Sequence, residues 1–206
     1  MIRNIIFDLG GVLLNLDMNA TATAFKQIGL HCFDELYTQA KQTGLFDDFD
    51  KGIISPDEFR TALRKYLPQN TTDEAIDNAW NAMLLDLPPQ RLELLQSLRG
   101  KYNLFLLSNT NEIHVDAFSA YLRSTYGFPD FSDFFDQWYY SCRMGMRKPD
   151  EEIFLKVMSN HNLIPSETIF IDDSKQHVEG AARTGIQAIW LEPGQTIHTL
   201  QEKGIF

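Results

Sequence analysis

Five short apolar runs, each stopping abruptly at small or polar residues, punctuate the chain. Ile2 to Phe7 ends at Asp8 and the Gly10-Gly11 pair, and Tyr102 to Leu107 ends at Ser108. Gln137 to Tyr140 leads to Ser141, Thr168 to Ile171 stops at Asp172-Asp173, and Gln187 to Leu191 stops before Pro193-Gly194. Runs of this length, rich in β-branched and aromatic residues and closed by turn formers, read as buried strands. Between them Pro89 to Arg99, Glu112 to Ser124, Pro149 to Asn160 and Gln176 to Thr184 carry apolar residues at three- and four-residue spacing, the pattern of helices with one buried face. Strands alternating with helices predict an α/β fold, a doubly wound and mainly parallel sheet covered on both faces.

Residues 16–87 break that rhythm. They hold no strand-like run and four helix-like segments, Asn19 to Ile28, Phe33 to Thr43, Pro56 to Tyr66 and Asp73 to Leu84. Ser55-Pro56-Asp57-Glu58 supplies a cap, a proline at the first helical position and an acidic first turn, and Thr72-Asp73-Glu74 opens the last helix in the same way. The expectation is a helical domain over 16–87, inserted after the first strand into a core made of 1–15 and 88–206.

With 18 basic and 28 acidic residues the formal charge is −10. A field of that sign repels nucleic acid and anionic membranes, so neither is expected as a partner, and no obligate protein partner is inferred. No stretch approaches about 18 uncharged apolar residues, and Asp8 interrupts the apolar opening. Two cysteines, Cys32 and Cys142, are too few and too far apart for a disulfide framework and read as buried reduced thiols. These features place the protein in the cytoplasm.

In an open parallel sheet, ligands bind beyond the carboxyl ends of the strands, so the polar residues there are the ones to collect. They are Asp8, then Ser108-Asn109-Thr110-Asn111, then Arg147-Lys148-Pro149, and finally Asp172-Asp173. Each has a plain structural reading: Asp8 as a turn aspartate, Ser108 as a helix cap, Lys148 as a surface cation, the Asp pair as an acidic helix start. Adjacent carboxylates also repel, and a hard divalent cation such as Mg²⁺ is the usual means of holding both ionised. The ordered set of two acidic positions, a hydroxyl and a lysine at successive strand ends favours a site. His177, just after the Asp pair, reads as a solvated surface histidine. Of the aromatic residues Phe46, Phe49, Phe59, Trp80, Phe131, Phe134, Phe135 and Trp138, most read as core, although flat rings also suit the faces of sugars.

Asp8-Leu9-Gly10-Gly11-Val12-Leu13, Leu107-Ser108-Asn109-Thr110, Gly145-Met146-Arg147-Lys148-Pro149 and Ile171-Asp172-Asp173 resemble, in order, the four motifs of the haloacid dehalogenase superfamily. The insertion resembles that superfamily's helical cap, and the pairing of LSNTN with GMRKP and a double Asp resembles its bacterial α-glucose 1-phosphate phosphatases. The resemblance implies a phosphatase for a small phosphorylated metabolite, with Asp8 as the nucleophile. It implies Mg²⁺ held by Asp8, the Gly10 carbonyl and Asp173, with Asp172 as a direct ligand or one step removed. Ser108 and the backbone amide of Asn109 would bind the transferring phosphoryl group, and Lys148 would neutralise charge.

One position departs from the pattern. Phosphatases of that superfamily usually carry a second aspartate two residues after the nucleophile, as acid and base, and here Gly10 stands there. The departure favours good leaving groups such as hexose 1-phosphates, or a proton from elsewhere; Asp17 is the candidate to reach the site, its other reading being a helix cap. A 2-haloacid dehalogenase and a non-catalytic binding protein on the same fold are the competing expectations.

Overall fold

The computed structural model describes residues 1–31, 33 and 44–206. Five parallel strands form one sheet: β1 (Asn4–Phe7), β2 (Asn103–Ser108), β3 (Gln137–Tyr140), β4 (Thr168–Asp172) and β5 (Gln187–Trp190), in the order β3-β2-β1-β4-β5. The chain therefore begins in the middle of the sheet and winds out first to one side and then to the other. Asp8 follows the central strand, flanked by Ser108 on one side and Asp172 on the other.

Alternation along these strands decides which helices pack where. Ile5, Phe7, Leu104, Leu106, Ile169 and Ile171 face α5 (Pro89–Leu98), α6 (Glu112–Tyr126) and α10 (Ile197–Glu202) in one apolar cluster. Ile6, Phe105, Leu107 and Phe170 face α8 (Glu151–His161) and α9 (Lys175–Arg183) in another. Both faces are covered, as the near-continuous hydrophobicity of the strands requires.

The other described helices are α1 (Met18–Gln27), α2 (Leu45–Asp50), α3 (Pro56–Arg64), α4 (Asp73–Asn81) and the short α7 (Ser141–Met144). The expected helix from Phe33 to Thr43 falls, beyond Phe33, outside the described residues, as does Cys32. Ser55 and Glu58 cap α3 reciprocally, Glu58 N–H donating to Ser55 Oγ at 3.3 Å and Ser55 N–H to Glu58 Oε2 at 2.7 Å. Phe25, Phe49, Phe59, Leu63, Ile76 and Trp80 form a third apolar cluster, which Ile113 of α6 joins from the sheet side. The two connections between this layer and the sheet run side by side. Asn15 N–H donates to Asp86 O at 2.8 Å, Leu85 N–H to Asn15 O at 3.0 Å and Asp17 N–H to Met83 O at 2.9 Å. Among the described residues no helix is long and apolar enough to cross a membrane.

Candidate active site

Lys148 is the centre of the strand-end cluster. Its ammonium, fully buried, lies 2.9 Å from Asp8 Oδ1 and 2.6 Å from Asp172 Oδ2, and Asp172 is itself fully buried. A solvated surface cation is thereby excluded. A bare ammonium in such surroundings would be too costly to keep, so the two carboxylates and the lysine make one another tolerable. Burial pulls the lysine toward neutrality, but Asp172 and Asp8 outweigh it and hold its pKa above the ordinary value. The Asn109 side chain fixes the lysine's backbone from both sides, accepting from Lys148 N–H at 2.9 Å and donating to Lys148 O at 2.8 Å.

The two aspartates differ in their commitments. Asp172 accepts from Lys148, from Ser174 N–H at 2.8 Å and from His177 Nδ1 at 3.0 Å. Burial raises its pKa, yet Lys148 and His177 more than reverse this and leave it below the usual carboxylate range. Asp8 receives Leu9 N–H at 2.7 Å and Lys148, both at Oδ1, leaving Oδ2 uncommitted among the described residues. Burial, with Asp172 and Asp173 adding to it, pushes Asp8 well above its ordinary value despite Lys148. The cluster is short of positive charge at Asp8.

Asp173 is exposed on the other side of the first turn. Gly11 adopts φ 74°, and a Cβ there would run into the Asp173 carboxylate, so this turn passes under the acid only as glycine. His177 is not the solvated histidine that the sequence suggests: its bond to Asp172 places it within the cluster, and Asp8, Asp172 and His177 present ligand atoms within 4.8 Å of one another. Lys148 occupies that same neighbourhood and opposes a second cation between those three.

Two adjoining cavities open here. The smaller, of about 200 Å³, is lined by Asp8, Gly10, Ser108, Asn109 and Asp173. The larger, of about 500 Å³, lies between the helical layer and the sheet, with Phe46, Asp47 and Asp50 of α2 and Trp80 of α4 facing Asn111, His114 and Arg147. Leu16, Met83, Asn109, His114 and His177 line both. Asp17 lines neither; it caps α1, its Oδ1 accepting Asn19 N–H at 2.9 Å.

Asn111 belongs to the strand-end run that the sequence singles out, whereas Asp50 and His114 carry no motif and only the fold reveals them. Asn111 Oδ1 accepts from Trp80 Nε1 at 3.3 Å and from His114 N–H at 3.2 Å, while its Nδ2 donates to Asp50 Oδ1 at 3.2 Å. The His114 ring stacks on Trp80 at 5.1 Å and places Nδ1 2.8 Å from Asn81 Oδ1. Burial alone lowers the His114 pKa to about 3. It raises that of Asp50 to about 6, against the Asn111 hydrogen bond. Of the expected aromatic residues, Phe49, Phe59, Phe131, Phe134 and Phe135 are core, Trp138 packs partly buried against it, and Phe46 and Trp80 serve both core and cavity. Cys142 is half-buried rather than buried, its thiol donating to Glu112 and pushed up to about 12 by burial.

A haloacid dehalogenase-like hydrolase family model matches residues 2–185, nearly the whole of this framework. The chain belongs to that family. This haloacid dehalogenase-like hydrolase is 33% identical to a D-ribitol-5-phosphate phosphatase of Bacteroides thetaiotaomicron over 94% of each chain. A haloacid dehalogenase family enzyme of the same organism, solved in complex with magnesium and inorganic phosphate, superposes with a TM-score of 0.84 at 39% identity, covering 95% of this chain and 96% of that one. A predicted hydrolase of the family from Porphyromonas gingivalis superposes with a TM-score of 0.89 at 36% identity, over 100% and 98% of the two chains.

Proposed function

We propose that this hydrolase is a Mg²⁺-dependent phosphatase that cleaves phosphate monoesters of small polyols or sugars through a phosphorylated Asp8. The observation that carries the reading is Lys148, buried between Asp8 and Asp172, with Asp8 lining a cavity that Ser108 and Asp173 also line. The relative named for D-ribitol 5-phosphate and the magnesium and phosphate complex of the similar structure support it.

The donor set fits the metal. A carboxylate short of positive charge, a backbone carbonyl and an exposed second carboxylate are hard oxygen ligands of the kind Mg²⁺ prefers. We assign them as Asp8, the Gly10 carbonyl and Asp173. Asp172, whose oxygens are engaged by Lys148, Ser174 and His177, holds the lysine rather than the ion. When bound, Mg²⁺ neutralises charge so that an anionic carboxylate can approach an anionic phosphate.

The residues then divide the work. An oxygen of Asp8 attacks phosphorus as the bond to the leaving oxygen breaks, turning one hard displacement into two easier ones. Lys148 balances charge on the transferring group, and the Ser108 hydroxyl and Asn109 N–H hydrogen-bond its oxygens. Water then cleaves the acyl phosphate and frees Asp8. The leaving group occupies the larger cavity, whose carboxylates, amides and guanidinium suit hydroxylated carbon chains better than hydrocarbon.

Gly10 favours esters with an acidic leaving hydroxyl, such as hexose 1-phosphates, whereas the ester named for the relative is that of an ordinary primary alcohol. A panel containing pentitol 5-phosphates, hexose 1- and 6-phosphates and an aryl phosphate tests the whole reading. Turnover should need Mg²⁺, vanish in EDTA and return on readdition; turnover undiminished in EDTA would overturn the Mg²⁺ assignment, and no turnover of any ester with Mg²⁺ present would overturn the phosphatase reading.

A further inference from the structure

The larger cavity is assembled from both layers, and one residue on its wall has a chemistry that its own surroundings do not complete. Asp50 is the last residue of α2, its side chain 21% exposed, and it lines the cavity. Its hydrogen-bond donor from the sheet side is Asn111, at Oδ1, while Oδ2 lies 3.9 Å from Arg147 Nη2, too far for a hydrogen bond. Arg147 is itself paired with Asp47. Asn111 cannot be turned round to offer Asp50 its oxygen, because Trp80 Nε1–H and His114 N–H both require that oxygen. Among the described residues the carboxylate is therefore presented to the cavity in a fixed place with acceptor capacity unspent.

His114 adds a second acceptor to the same wall. With Nδ1 donating to Asn81 Oδ1, the neutral ring carries its lone pair on Nε2, and His114 lines both cavities. Two acceptors beside a guanidinium form a surface that reads hydroxyl groups, since each hydroxyl brings one donor and accepts in turn.

We infer that Asp50 is a specificity-determining residue, accepting hydrogen bonds from hydroxyls on the carbon chain of a phosphorylated polyol while the ester's phosphate lies in the smaller cavity. This inference rests on the phosphatase reading and narrows its substrate to polyhydroxylated leaving groups. Sites built to bond a substrate hydroxyl discriminate strongly against analogues lacking it, because the buried acceptor is then left unpaired.

The test is the ratio of kcat/KM for a pentitol 5-phosphate to that for p-nitrophenyl phosphate, in the wild type, Asp50→Ala and Asp50→Asn, with Mg²⁺ present. The ratio should fall at least tenfold in Asp50→Ala, mainly through KM for the polyol ester. In Asp50→Asn, which keeps the size and one acceptor and guards against misfolding of the alanine variant, it should fall at least threefold. Inhibition by the free pentitol should weaken in the same order, relative to inhibition by inorganic phosphate. A residue that merely seats the helical layer would lower both esters together, so an unmoved ratio in folded variants overturns the inference while the wild type's Mg²⁺-dependent turnover keeps the phosphatase reading intact. A wild type that cleaves neither ester overturns both.

Discussion

His114 and Asp50 should pull the stability of this protein in opposite directions as the pH falls, and substitution separates them. His114 titrates near 6.5 in an unfolded chain and near 3 in the folded one, because burial disfavours the imidazolium. Below pH 6.5 the unfolded state therefore binds the extra proton, and stability present at neutral pH is progressively lost down to about pH 3. Between pH 7.5 and 5.0 this one group costs about 2 kcal/mol. Asp50 behaves in the reverse sense: its folded pKa, about 6, lies above the unfolded value, so the folded state takes up the proton first. Over the same interval protonation of Asp50 returns about 1 kcal/mol, and in the wild type the two contributions partly offset each other. His114→Phe keeps a flat ring against Trp80 and removes the titration, whereas Asp50→Asn keeps the shape and removes the other. Urea unfolding at both pH values, in EDTA so that metal binding does not enter, gives the change for each protein. Relative to the wild type, acidification should favour His114→Phe by about 2 kcal/mol, roughly 1 M in the urea midpoint, and disfavour Asp50→Asn by about 1 kcal/mol. Constant losses, such as that of the Asn81 hydrogen bond, cancel in the comparison. If His114→Phe responds to pH as the wild type does, the imidazole is not held neutral by burial and the account of the cavity wall is wrong.

Asp8→Asn should lower kcat at least about 10³-fold while leaving the circular dichroism spectrum and melting transition in place, because the amide is a poor nucleophile of nearly the same shape. Lys148→Met leaves Asp8 and Asp172 facing each other without a cation; it should destabilise the fold by about 3–5 kcal/mol at neutral pH, measured by denaturant titration, as well as abolish turnover. Phosphorylation of Asp8, followed in single turnovers on aryl phosphates of graded leaving-group pKa, should depend steeply on that pKa; a flat dependence would show that an acid is at work despite Gly10. Asp17→Asn should leave that dependence unchanged, since Asp17 caps α1 and lines neither cavity.

The sheet was legible because buried parallel strands write themselves as short apolar runs, and the residues proposed for the phosphate side were legible because parallel sheets gather polar residues beyond their strand ends. Asp8, Ser108, Asp172 and Asp173 stand at the ends of β1, β2 and β4, and Lys148 reaches Asp8 and Asp172 from beyond α7. The division of labour between the two adjacent aspartates was not legible. Spacing places Asp172 and Asp173 side by side, but only the alternation of an extended strand sends the first inward to Lys148 and leaves the second exposed. The wall of the larger cavity was also hidden. Asp50 meets Asn111, and Asp47 meets Arg147, across 61 and 100 residues of sequence, and no periodicity encodes such meetings. α2 was missed for a local reason: Leu45–Asp50 is too short to show a period, and three of its six residues are aspartates. His177 looked solvated because its partner is the strand-end Asp172, five residues back across a turn.

Gly10 acquires a reason from its surroundings. A Cβ at that position would sit 2.7 Å from Leu16 Cδ1, and Leu16 lines both cavities at the point where the chain leaves the sheet for the helical layer. The place where the resemblance calls for an acidic side chain is thus taken by a leucine, and the groups that could meet a leaving oxygen come from elsewhere on the cavity walls. A carboxylate at residue 10 would have to displace that leucine from the junction where Leu16 pairs with Leu84 and the two connections run together. On the proposed reading, the acid chemistry missing beside Asp8 is matched by hydroxyl-reading chemistry at Asp50 one cavity further out, and selectivity then rests on how the leaving group is held as much as on how it is protonated.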